Sequence, residues 1–138
     1  MTGEQWEFIR YRMARAREAL DEASLLLANA HVRTAVNRIY YACFYAVSAL
    51  LLTEGQSSSK HSGIRALFDQ LWIGSERLPR DMGRFYRQLF DVRQRGDYID
   101  LVTFDPAEVQ AWLKEATAFV ERIARNIDTQ KAKERESE

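Results

Sequence analysis

Arg93, Asp97 and Tyr98 are the residues of this chain whose types and spacing most suggest chemistry. They belong to the hexapeptide Arg93-Gln94-Arg95-Gly96-Asp97-Tyr98, which follows apolar positions at Met82, Phe85, Tyr86, Leu89 and Val92. Arg93 comes four residues after Leu89 and seven after Tyr86, so a helix here turns it toward the buried stripe. A guanidinium cannot shed its proton and needs anionic or dipolar partners in such a place. Two roles stay open: an ion pair with Asp97 one turn on, or a phosphate-holding group in a cleft.

Two other polar groups stand out. Asn37, Arg38 and Tyr41 fall within one helical turn, on a face that also carries Thr34, Tyr45 and Ser48. That face is too polar for an ordinary core and too aromatic for an ordinary surface. Its structural role would be a polar network fixing helix register. Lys60-His61-Ser62-Gly63 sits where a helix begins, and free N–H groups there, with Lys60 and His61, would receive an anion. Its plain alternative is helix capping. No Gly-rich phosphate loop, zinc-spaced His pair or cysteine cluster occurs, so no metal or cofactor is expected. Cys43 is the single cysteine; lying mid-helix among apolar neighbours, it reads as an inert buried thiol. His31 reads as a surface or capping residue.

Five helical segments must position these groups. The first spans about Thr2 to Asn29. Its seam of Trp6, Ile9, Met13, Ala16, Leu20, Ala23, Leu27 and Ala30 alternates three and four apart, and Thr2 with Gln5 makes a capping box. The second spans about Arg33 to Thr53 and stops at Gly55, with Ala35, Ile39, Ala42, Ala46, Ala49 and Leu50 forming a small-residue packing face. After the Gln56–Ser59 loop, Ser58 or Ser59 caps a short third helix from Lys60 to about Trp72. Pro79 lies in the first turn of a fourth helix that runs to about Arg95, where Gly96 weakens it. Asp105-Pro106-Ala107-Glu108 is a strong start signal for a fifth helix carrying Val109 through Ile127. No strand-period segment or internal repeat is present. Short connections between long helices predict an all-α, up-down four-helix bundle with one additional short helix. Residues 1–128 form a single domain, and 129–138 read as a charged tail that frays.

With 138 residues, 46% hydrophobic and 29% charged, the chain suits one globular domain and not a disordered one. Its longest apolar patch, Ile39 to Leu52, is broken by Ser48 and falls short of the ~18 residues of a membrane span. With Glu4 near the start and no signal-peptide pattern, a cytoplasmic location is expected. The formal net charge of +0 hides six Arg against two Asp between Arg77 and Arg95, an excess that attracts phosphates or simply solvates a helix face.

Taken together, Arg38-Ile39-Tyr40-Tyr41-Ala42-Cys43-Phe44-Tyr45-Ala46, then Leu50-Leu51 and Gly55, then Lys60-His61-Ser62-Gly63, then the Arg93 hexapeptide resemble the HEPN family (higher eukaryotes and prokaryotes nucleotide-binding) over about Ala14 to Ile127. The resemblance implies an HEPN-like helical bundle that works as a homodimer and binds RNA or a nucleotide. It implies a metal-independent ribonuclease toxin in a two-component toxin–antitoxin or defence system, paired with a nucleotidyltransferase. The alternative is a non-catalytic nucleotide- or partner-binding scaffold. Many members use Arg-x(4–6)-His, the Arg holding the scissile phosphate and the His moving the proton during attack by a 2′-hydroxyl. Arg93 matches that Arg; five residues later stands Tyr98, with Asp97 beside it. A Tyr with a pKa near ~10 is a poorer base than a His near ~6.5. Tyr98 is also a candidate acceptor of nucleotidyl transfer, since related systems modify a tyrosine near the motif. Asn37, Arg38, Tyr41, Lys60 and His61 are the candidate nucleotide- or RNA-binding residues.

Overall fold

The computed structural model describes residues 1–98 and 103–137, with the backbone alone for 96–98. Among the described residues all regular structure is helical: α1 (Gly3–Ala28), α2 (Val32–Leu52), α3 (His61–Phe68), α4 (Arg80–Tyr98) and α5 (Pro106–Glu136), with a π-helical turn, Asp69–Ile73, continuing α3. Ion pairs and hydrogen bonds fix the directions. Arg38 meets Glu22 and Tyr45 meets Arg15, so α2 runs antiparallel to α1; Glu121 meets Arg17 and Glu134 meets Trp6, so α5 also opposes α1; Arg77 meets Glu54 at the start of the α2–α4 contact. The result is the expected up-down bundle with a short extra helix.

Local rules set the ends. The Thr2–Gln5 capping box opens α1. Its C-terminus closes as a Schellman turn, with His31 N–H donating to the Leu26 carbonyl and Ala30 N–H to that of Leu27. Ala30 therefore sits at φ 63°, in the left-handed region that favours glycine. Asp105 caps α5 by accepting from the Ala107 N–H, with Pro106 in the first turn.

α2 is the central helix. Ala35, Ile39, Ala42, Ala46, Ala49 and Leu50 are all fully buried, and the alanines let α1 and α5 approach closely. α2 is long and apolar enough to cross a membrane, but most of it is covered by the bundle, as a core helix is. Ile9, Met13, Ala16, Leu20 and Ala23 bury the α1 seam, while Phe85, Tyr86, Leu89 and Val92 bury that of α4.

Four expectations need correction. α4 begins at Arg80, after Pro79, and continues through Gly96 to Tyr98, so one glycine does not end a helix whose buried stripe is intact. α3 stops at Phe68, where the backbone widens into the π turn. Its N-cap, Lys60, makes no side-chain cap bond; Ser58 Oγ instead accepts from the Lys60 N–H at 3.2 Å. Gly63 permits this loop, since a Cβ there would lie 2.1 Å from Ser58 Oγ. The charged C-terminal segment does not fray among the described residues: α5 stays helical to Glu136. Lys131 lies over the Trp6 ring at 5.6 Å, and Glu134 accepts from the N-terminal ammonium at 2.7 Å and from Trp6 Nε1 at 3.4 Å. Polar composition concealed these contacts because their partners lie at the other end of the chain.

Candidate functional site

The site is built where α2, α3 and α4 meet. Helical spacing brings Tyr40, Tyr41, Phe44 and Tyr45 onto two adjoining stripes of α2, Tyr40 fully buried and the others half-buried. Tyr40 stacks on Tyr86 of α4 at 6.2 Å and 5°. Against this wall α3 delivers His61 from its first residue: the imidazole stacks on Phe44 at 4.2 Å and 13°.

Arg93 enters from α4, half-buried. Its Nη2 donates to the Tyr41 hydroxyl at 3.1 Å and its Nη1 lies 3.4 Å from His61 Nδ1. The guanidinium carbon sits 5.1 Å from the Tyr40 ring centre and 5.2 Å from that of Tyr41. Such stacking holds a cation and fixes the plane of its donors. Tyr40 Oη also meets His61 Nδ1, at 2.8 Å. A guanidinium has no lone pair to offer, so Nδ1 is the acceptor and the imidazole carries its hydrogen on Nε2. His61 Nε2 takes no hydrogen bond among the described residues.

Electrostatics agree with that tautomer. Burial, and then the Arg93 charge, hold the His61 imidazole below its ordinary 6.5, which keeps it neutral at pH 7. Burial pushes Tyr40 up to about 12 despite the opposing pull of Arg93, so it acts as a hydroxyl. Burial also pushes Tyr86 and the Cys43 thiol up, which fits an unreactive Cys43.

Tyr41, His61 and Arg93 thus converge. Arg38 joins them through Tyr41, its guanidinium carbon 5.0 Å from that ring centre, and Asn37 Oδ1 accepts from Arg38 Nη2 at 2.8 Å and Nε at 3.2 Å. Lys60 precedes His61 but is exposed, and its backbone N–H rather than its ammonium makes its bond. The side chains of Asp97 and Tyr98 lie outside the described residues. Ser48, expected on the polar face, is buried. The sequence motif that carries the resemblance includes Tyr40 and Phe44, but neither was assigned a site role; in the structure both orient His61. Their signal was the four-residue aromatic spacing, which ordinary core packing produces equally well.

The arginine excess of α4 divides in two. Arg80, Arg84 and Arg87 line a separate cavity of about 450 Å³ with Ile73, Gly74, Glu76 and Gly83. Arg84 pairs with Asp81, and Arg87 with Asp69 at 3.3 Å. These are mainly solvated pairs; among the described residues of α4, Arg93 is the arginine that reaches the aromatic site.

Comparison with known proteins adds to this geometry. The HEPN domain family model matches residues 9–127. A "UPF0332 protein" of Thermotoga maritima is 45% identical over 125 residues, covering 91% of this chain and 95% of that protein. "Putative toxin MJ0605" of Methanocaldococcus jannaschii is 34% identical over 114 residues, covering 81% and 83%. A "UPF0332 protein" of Gloeobacter violaceus is 40% identical over 101 residues, covering 71% and 75%.

Proposed function

Since the chain belongs to the HEPN family, we propose that it is a toxin-type member that binds RNA at Arg93 and cleaves it without a metal, with His61 in the proton-transfer role. The observation that carries this reading is the approach of Arg93 Nη1 to His61 Nδ1, 3.4 Å apart between helices remote in sequence. Arg93 offers a fixed, charge-assisted fork for a phosphodiester. Tyr41 Oη and His61 Nε2 offer neutral donors beside it. A phosphate that draws Arg93 away from Nδ1 lets that nitrogen take the ring hydrogen and donate to Tyr40 Oη. His61 Nε2 is then free to accept the proton of a 2′-hydroxyl whose oxygen attacks phosphorus; the P–O5′ bond breaks as the 2′,3′-cyclic phosphate forms, and the 5′-oxygen leaves as a hydroxyl, taking its proton from solvent. Asn37 and Arg38 extend the surface along the strand, and Lys60 adds a solvent-exposed charge at its edge.

The protein works in this reading as a homodimer beside a nucleotidyltransferase-like partner. The "Putative toxin" relative supports the toxin part of the proposal. The test is fluorescence anisotropy with labelled single-stranded and hairpin RNAs, followed by analysis of product ends. Wild type is expected to bind and to leave 2′,3′-cyclic phosphate ends. Arg93→Ala is expected to lose binding, and His61→Gln to bind but cleave at least about 100-fold more slowly. Binding by all three with no cleavage would replace the nuclease with a scaffold. No binding by wild type across the panel would remove the RNA reading. Mass spectrometry after co-expression with a nucleotidyltransferase-like neighbour tests the partner; a nucleotidyl adduct on Tyr98 supports it.

A further inference from the structure

Beside the Arg93 site, α2 carries an aromatic surface that the proton-transfer chemistry leaves unused. Tyr45 stands one helical turn beyond Tyr41 on the same stripe, about 6 Å along the axis, and the two rings lie 5.9 Å apart at 41°. Phe44 fills the angle between them, 5.9 Å from each. Tyr45 is half-buried, and Arg15 of α1 covers it. The Arg15 guanidinium carbon sits 5.4 Å from the Tyr45 ring centre, and Nη2 donates to Tyr45 Oη at 3.4 Å. We propose that Tyr45 is a base-stacking residue. The nucleobase beside the phosphate held by Arg93 lies on its ring, in the place that Arg15 occupies here.

The cover over Tyr45 is easily moved. Arg15 meets Glu18 at 3.6 Å, with the two side chains 37% and 58% exposed, and its bond to Tyr45 is longer than a strong one. A solvated pair of this kind costs little to break. The freed guanidinium then reaches a phosphate of the incoming strand, a better partner than a hydroxyl. A ring face that takes a guanidinium plane takes a nucleobase equally well. Arg38, which lies 5.0 Å from the Tyr41 ring centre, is held differently: Asn37 Oδ1 accepts from it twice and Glu22 pairs with it. Tyr41 is thus kept for Arg93, and Tyr45 is the ring that can be cleared.

The geometry also selects the class of RNA. Arg93 Nη2 donates to Tyr41 Oη at 3.1 Å, so a phosphate on the Arg93 fork sits at the hydroxyl end of Tyr41, one turn of α2 from Tyr45. A base reaches Tyr45 from there only when it is unpaired and splayed outward; an A-form duplex keeps its bases stacked inside. The ligand is therefore single-stranded RNA or a loop, read with little preference among bases. This role of Tyr45 rests on the RNA reading of Arg93, and the experiment separates the two.

A single abasic nucleotide is walked along a short labelled single-stranded RNA, and binding is read by anisotropy. The proteins carry His61→Gln, so that binding is followed without cleavage, and either Tyr45, Tyr45→Phe or Tyr45→Leu, with each fold confirmed by circular dichroism. On intact RNA, Tyr45→Leu is expected to bind about tenfold more weakly and Tyr45→Phe within about twofold of Tyr45. At one position of the walk, loss of the base is expected to cost the Tyr45 protein about tenfold and the Tyr45→Leu protein nothing further. A side chain that only supports the fold does not produce that coupling. Binding that is lost in Arg93→Ala but shows no coupled position overturns the stacking role and leaves the RNA reading in place. No binding by any of the proteins removes both.

Discussion

At the scale of single residues the site is a cation and a neutral imidazole held on aromatic faces. His61 is stabilised as a base by what surrounds it: Phe44 on its face, Tyr40 and Arg93 on Nδ1. A proton NMR titration checks this directly. The His61 ring is expected to titrate below 6.5 in wild type, and to move up toward 6.5 in Arg93→Met, because removing the cation eases protonation. The linkage sign follows: a folded-state value below the unfolded one means that the unfolded chain takes up the proton first. His61 therefore leaves stability unchanged above about pH 6.5 and lowers it as pH falls from there toward the folded-state value. Arg93 and Tyr41 were legible in the sequence because helical spacing turns polar residues onto a buried stripe. The meeting of His61 with Arg93 was not, since it depends on how a short helix after a serine loop lies across two long ones.

At the scale of elements, caps and seams made most of the helices readable. The capping box of α1 and the Asp105-Pro106 start of α5 are local hydrogen-bond rules that need no tertiary context. One end that was misjudged is fixed at a distance. α5 extends to Glu136, with Lys131 and Glu134 lying against Trp6 and the N-terminus of α1. Truncation after Asp128 is expected to cost about 1 kcal/mol from lost cover over Trp6, and to appear as a lower urea midpoint. The α1–α2 turn offers the opposite change. Ala30 holds φ 63° in a Schellman closure, so Ala30→Gly is expected to stabilise the fold by about 0.5–1 kcal/mol and to raise Tm by a few degrees. Within the core, Leu50→Ala removes a fully buried side chain from the central helix and is expected to cost about 2–5 kcal/mol in the same denaturation experiment.

At the scale of the whole molecule, one bundle presents two different surfaces side by side. The junction of α2, α3 and α4 collects Arg93, Tyr41 and His61, while the neighbouring edge of α1 and α2 lays Arg15 over Tyr45. Bundle architecture was readable from the period of the apolar residues, because burial enforces that period along every long helix. Function was readable only as a set of candidates, since the same polar residues serve a register-fixing network as well as a phosphate site. The distinction lies in whether an anion competes for Arg93. The most direct measurement is single-turnover cleavage of a bound RNA in EDTA by wild type, Arg93→Ala, His61→Gln and Tyr98→Phe, all confirmed as folded. The expected result is cyclic-phosphate ends from wild type, losses of at least about 100-fold in Arg93→Ala and His61→Gln, and a smaller loss in Tyr98→Phe. Equal cleavage by wild type and Arg93→Ala, or a loss confined to Tyr98→Phe, would contradict the assignment of this chemistry to Arg93 and His61.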